Sequence, residues 1–153
     1  MTGIVNLISS KINNVDLTSP LSLFDLLMAV LLVVGFLWYG PFFSKHWMKE
    51  MGMDKMSAAE MASMKKAANS KYLQQFIGAL IMAYVFDHML VTYNSTTVGM
   101  ALQGAFWVWL GFIVPVKYGD KLWGGKSAKL FFIDSFHYLV TLAVFALIFV
   151  SWK

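Results

Sequence analysis

The chain contains no cysteine and no arginine, only three prolines, and few charges, with 13% of its 153 residues charged. The lack of cysteine excludes disulfides, thiol nucleophiles and thiolate metal sites. The charge content is about half that of an ordinary soluble domain, roughly 25%, and with 59% hydrophobic residues the composition belongs in a lipid bilayer. The length suits one membrane domain, residues 1–153, with no second unit. All twelve basic residues are lysines, and the formal net charge is +4. They flank apolar stretches instead of forming a separate basic stripe, so nucleic acid is not an expected partner. The first twenty residues lack the basic head and continuous apolar core of a cleavable signal, so the first apolar helix is expected to act as its own insertion signal.

What is present reads as an all-α chain with four transmembrane helices and an N-terminal amphipathic surface helix. Ile4, Ile8, Ile12 and Val15 repeat at helical spacing with polar residues between them, the pattern of a helix lying on a membrane surface. Ser19 and Pro20 then mark a helix start, and the first span is placed at 21–39, closed by Gly40-Pro41. Trp38 and Tyr39 suit an interfacial aromatic belt. The polar segment 42–71 contains Ser57-Ala58-Ala59-Glu60, a capping-box pattern expected to open a short cytoplasmic helix with a methionine-bearing face. The second span, 72–93, carries Asp87 and His88. The third, 97–116, carries Gln103 and three glycines, Gly99, Gly104 and Gly111, expected to let helices approach closely; Pro115 is expected to end or kink it. The fourth, 130–152, carries Asp134 and His137.

The lysines orient these spans. Ten of the twelve fall in the connections after the first and third spans, so the positive-inside rule places both connections in the cytoplasm and both termini outside a cell inner membrane. Depth follows from about 1.5 Å of rise per residue. Asp87, His88, Gln103 and Asp25 then form an outer polar layer, with Gln103 the expected partner of the Asp87-His88 pair. Asp134 and His137 form an inner layer, three residues apart on one helix face and able to hydrogen-bond. Asp25, near its helix N-terminus, reads first as a residue reaching water.

An ionisable side chain at membrane depth costs a few kcal/mol or more and normally faces a partner or a wet cavity. Three readings accommodate these residues. They form a pathway for protons or a small polar solute; they bind a metal, against which stands an offset of roughly 10 Å between the layers; or they tie helices together in a structural or accessory subunit. No catalytic residue is assigned, and metal and cofactor stay open. The lipid bilayer is the expected surrounding, with a second copy or another membrane protein as partner, the glycines of the third span and the methionines of the loop being the candidate contacts. Trp107, Trp109 and Phe112 read as packing bulk. Gly124-Gly125-Lys126-Ser127 is not a phosphate loop, because Asp120 stands where that motif has its first glycine and no strand precedes it. Asn94-Ser95-Thr96 matches a glycosylation acceptor but sits in a very short turn.

Two stretches, Trp38–Met53 (WYGPFFSKHWMKEMGM) and Phe106–Leu139 with its FWVWLGFIVP and LWGGKSAKLFFIDSFHYL segments, resemble the small four-helix bacterial membrane proteins of the domain of unknown function 1761. The resemblance extends from Leu23 to Trp152 and implies an integral membrane bundle without assigned activity. Phe136 and His137 depart from the family's small-then-aromatic pattern, and the N-terminal amphipathic segment is additional to it.

Overall fold

The structure is a computed structural model that describes residues 20–152, with side chains from Leu26 onward except Met28. The N-terminal amphipathic segment, the Ser19 cap and the Asp25 side chain lie outside the described residues. The described chain is all helix and turn, without strands. Among the described residues, three helices are long and apolar enough to cross a membrane, and a fourth crossing is counted if the bent pair Ala29–Phe42 and Ser44–Glu50 forms one span.

The first described helix, α1 (Pro20–Leu37), passes into a π-helical turn at Trp38–Phe42. Pro41 cannot donate to the carbonyl of Leu37 one turn earlier. The wider turn accommodates this, and Phe43 N–H reaches back five residues to the Trp38 carbonyl at 3.0 Å. The chain then bends by 80° into α2 (Ser44–Glu50).

Helix α3 (Ala58–Thr92) opens on the expected capping box: Ser57 Oγ accepts from Glu60 N–H, and the Glu60 carboxylate accepts from Ser57 N–H at 2.7 Å. The helix is not short, however. It runs on for 35 residues through the second apolar stretch, because no proline or glycine interrupts the chain between Ala58 and Gly78 and Ala, Met and Lys favour helix. The short helix of this connection is α2 instead. Asn94, at φ 50°, makes the left-handed turn that follows, a conformation Asn tolerates better than most residues. Its place in the sequence therefore has a structural reason.

Helix α4 (Val98–Val108) is capped by Thr97 and leads into a second π turn, Trp109–Ile113, then α5 (Val114–Trp123). Pro115 therefore neither stops nor breaks the helix; the π turn just before it absorbs the missing N–H, and helix continues for two more turns. Gly124 and Gly125 then close α5. A Cβ on Gly124 would lie 2.5 Å from the Asp120 carbonyl oxygen, and Gly125 has φ +66°, so both glycines are demanded by the turn. Ser127 caps α6 (Ala128–Ser151), accepting from Leu130 N–H at 3.1 Å.

This order is an internal repeat. Each half has an apolar helix, a π turn opening on Trp-x-Gly, a short helix, an Asp-Lys pair and a Ser-Ala helix start, at 38–58 and at 109–128. The spacing from tryptophan to capping serine differs by one residue between the halves. Symmetry ends at α6, which packs against each of the other described α-helices. Its buried side, Leu142, Phe145, Ala146 and Phe149, joins Ala101 and Ala105 of α4, Ala83, Phe86 and Leu90 of α3 and Leu27 of α1 in one apolar core. The close approach of α4 thus falls on alanines. A Cβ on Gly99 or Gly111 would meet nothing within 4 Å, and only Gly104 touches a neighbour, Leu90. Large apolar side chains such as Leu32, Phe36, Ile81, Tyr84 and Trp107 lie exposed outside this core.

Candidate functional site

The polar and aromatic side chains concentrate around the second and third turns of α6, at the end of the molecule that carries the lysine-rich connections. Two indoles grip this segment. Trp38 Nε1 donates to the Ile133 carbonyl at 3.0 Å, and Trp109 Nε1 donates to the Ser135 carbonyl at 2.8 Å. Each tryptophan is the first residue of a π turn, so the two halves of the repeat hold the same helix two residues apart. Trp109 is therefore a specific fastening as well as bulk, and Trp38 is directed onto α6. Trp107 and Phe112 are exposed.

Between the two grips lies Asp134. Its Oδ1 accepts a hydrogen bond from the Tyr39 hydroxyl at 3.2 Å. His137, one turn on, does not bond Asp134 among the described residues. Its ring lies 5.0 Å from Tyr39, 6.0 Å from Trp38 and 5.6 Å from Tyr138, centroid to centroid. Tyr39 also meets Trp47 of α2 edge-on at 5.5 Å, which holds α2 against α6. Lys117 Nζ stands 5.2 Å over the Tyr138 ring, a cation–π contact, and lies 3.9 Å from Asp120. Lys126 bonds the same carboxylate at 3.3 Å. A carboxylate, a phenol, an imidazole and an ammonium thus sit within two turns of one helix, each in contact with an aromatic ring.

The other polar residues are arranged differently. Asp87 is half-buried and His88 exposed near the far end of α3, and Gln103 is exposed on α4. Gln103 lines a cleft of about 410 Å³ with Phe86, Met89, Tyr93, Trp107 and Phe112, a cleft that neither Asp87 nor His88 lines. No hydrogen bond joins either to Gln103 among the described residues; adjacent positions on a helix diverge by about 100°, and Phe86 and Leu90 take the side of α3 that meets the core. Phe86 and Leu90 bracket Asp87 and His88, and Ala101 and Ala105 bracket Gln103, so these polar residues lie level with the apolar core while Asp134 and His137 lie at the other end of α6. No three His, Asp or Glu side chains converge among the described residues.

Sequence reasoning missed Tyr39, Trp47, Trp109, Ser135 and Lys117 as parts of the α6 assembly. One signal was available for two of the tryptophans: of the three Trp-x-Gly sequences, those at Trp38 and Trp109 stand three and six residues before a proline, at the lysine-rich end of an apolar helix.

No curated protein and no solved structure is significantly similar to the chain. Residues 26–150 match the model of the family described as "Protein of unknown function (DUF1761)". That match includes both π turns and the Asp134–His137 segment, and the chain belongs to the DUF1761 family.

Proposed function

We propose that the chain is a four-span integral membrane protein of the inner membrane that acts as a structural or accessory subunit, assembling with copies of itself or with another membrane protein. The observation that supports this is the unequal treatment of its polar residues. Asp134 is satisfied by Tyr39 within the chain, whereas His88 and Gln103 stand exposed little more than one turn from the far ends of α3 and α4, amid largely apolar surface. Polar groups at membrane depth find partners, and a second polypeptide supplies them. A conducting role would use Asp134 and His137 as proton sites, but the fully buried Leu142, Phe145 and Ala146 offer no polar relay between the two ends.

The test is a mass measurement in nanodiscs or native membranes, coupled to proton-flux assays in proteoliposomes. Assembly that weakens in His88→Leu and Gln103→Leu, with no flux above empty liposomes, is the expected result. A monomer that passes protons in a manner abolished by Asp134→Asn would replace this reading with the conducting one.

A further inference from the structure

The two halves of the repeat meet α6 with different equipment. After Trp38 comes Tyr39, whose ring lies beside α6 and whose hydroxyl satisfies Asp134. After Trp109 comes Leu110, and there the space beside α6 is open: a slot of about 200 Å³ lined by Trp109, Leu110, Val114, Phe132, Ser135 and Phe136 among others. Ser135 is 1% exposed, and its hydroxyl has no hydrogen-bond partner. Its neighbour Thr141 shows the usual alternative, donating to the carbonyl four residues back at 2.9 Å.

We propose that this slot binds a lipophilic single-ring compound bearing a carbonyl oxygen, a molecule of the quinone-headgroup class, with Ser135 donating to that oxygen. Size, polarity and access support it. An enclosed apolar cavity of roughly 150 Å³ holds benzene, and this slot, open on one side, has the volume of a single substituted ring. Water is a poor occupant, because it needs two to four polar partners and the slot has one free hydroxyl. A charged ligand is excluded, because no charged side chain lines it. The Ser135 carbonyl is already taken by Trp109 Nε1, which leaves the hydroxyl as the orienting group. The rim is open to the surface through Leu110, Phe132 and Phe136, which are 39%, 56% and 42% exposed. Ser135 Oγ itself is sealed, so a ligand reaches it only when a lining side chain moves.

The experiment uses the full chain in nanodiscs and two probes of nearly the same shape, duroquinone and durene, the second lacking both oxygens. Binding is read by equilibrium dialysis against empty nanodiscs, with thermal unfolding recorded for every variant. Wild type should take up about one duroquinone per chain and prefer it to durene by roughly fivefold or more, as expected for one hydrogen bond. Ser135→Ala should remove that preference at unchanged unfolding temperature, Ser135→Thr should retain it, and Leu110→Trp should block both probes by filling the slot. Equal affinity of the wild type for the two probes, uptake no greater than that of empty nanodiscs, or a preference that survives Ser135→Ala would overturn the proposal.

Discussion

Hydrogen bonds carry unusual weight in this fold, because helices surrounded by lipid gain no hydrophobic drive from touching one another. Tyr39 is the side chain whose loss isolates one such bond, since Tyr39→Phe keeps the ring contacts with Trp47 and His137 and removes only the donor to Asp134. A lower stability by about 1–3 kcal/mol is expected, the range for a bond to a carboxyl group, measurable as a reduced midpoint in detergent or denaturant unfolding. Trp109→Phe removes the 2.8 Å bond to the Ser135 carbonyl and should cost about 1 kcal/mol. The exposed Trp107 is the control, and its replacement by Phe should fall within about 0.5 kcal/mol of wild type. A Trp107 effect as large as that of Trp109 would mean that ring bulk, not the indole bond, fastens α4 to α6. None of this was legible from composition: an aromatic at the end of an apolar helix looks the same whether it faces headgroups or donates to a neighbouring carbonyl.

At the scale of elements, local rules succeeded where local chemistry decides. The capping box at Ser57–Glu60 and the turn at Asn94 form where their residue types favour them. The rules stopped short where two elements compete for the same residues. Pro41 and Pro115 were readable as interruptions, but whether the helix ends or widens depends on what Trp38 and Trp109 gain from α6. The close contact between α4 and α6 falls on Ala101 and Ala105, both essentially fully buried, because a helix's interface is fixed by its rotation and glycine content alone does not give that rotation. Ala105→Leu should therefore cost about 1–3 kcal/mol through overpacking, while Gly111→Ala, whose added carbon meets nothing within 4 Å, should be neutral or slightly stabilising, both read by thermal unfolding. The start of α3 has a pH dependence of its own. The Ser57 N–H and hydroxyl hold the Glu60 carboxyl below its usual value, so its contribution is present above the ordinary carboxylate pKa and is lost as pH falls through the lowered one. Amide protection factors at residues 58–61, which correct for the slowing of intrinsic exchange towards acid, should fall on acidification over that range in wild type, and should vary much less over it in Glu60→Gln, whose side chain does not titrate.

For the whole molecule, the family and the all-helical class were readable from the sequence, while the central position of α6 was not. Hydropathy ranks helices by their lipid compatibility and says nothing of which one the others surround. The Asp134–His137 pair was visible as two polar residues on one helix face, but its partners came from Tyr39, Trp38 and Lys117, about 20 to 100 residues away in sequence, and no periodicity reports such distances. The distribution of lysine is the one whole-molecule signal carried by composition. Six lysines lie between Phe42 and Lys71 and four between Lys117 and Lys129, and the π turns bring both connections to the same end of α6. Trp123, 91% exposed at the end of α5 and adjacent to Gly124, then sits among lysines at the level where an indole suits the membrane interface. The orientation proposed here places that end in the cytoplasm. Because the chain has no cysteine, single cysteines introduced at Asn94 and at Lys126 give an unambiguous readout with a membrane-impermeant maleimide. Asn94→Cys should react in cells whose outer barrier has been opened but whose inner membrane is intact, and Lys126→Cys should react only after that membrane is permeabilised. The reverse order of labelling would invert the topology and place the α6 assembly, with its two indole grips, at the outer face.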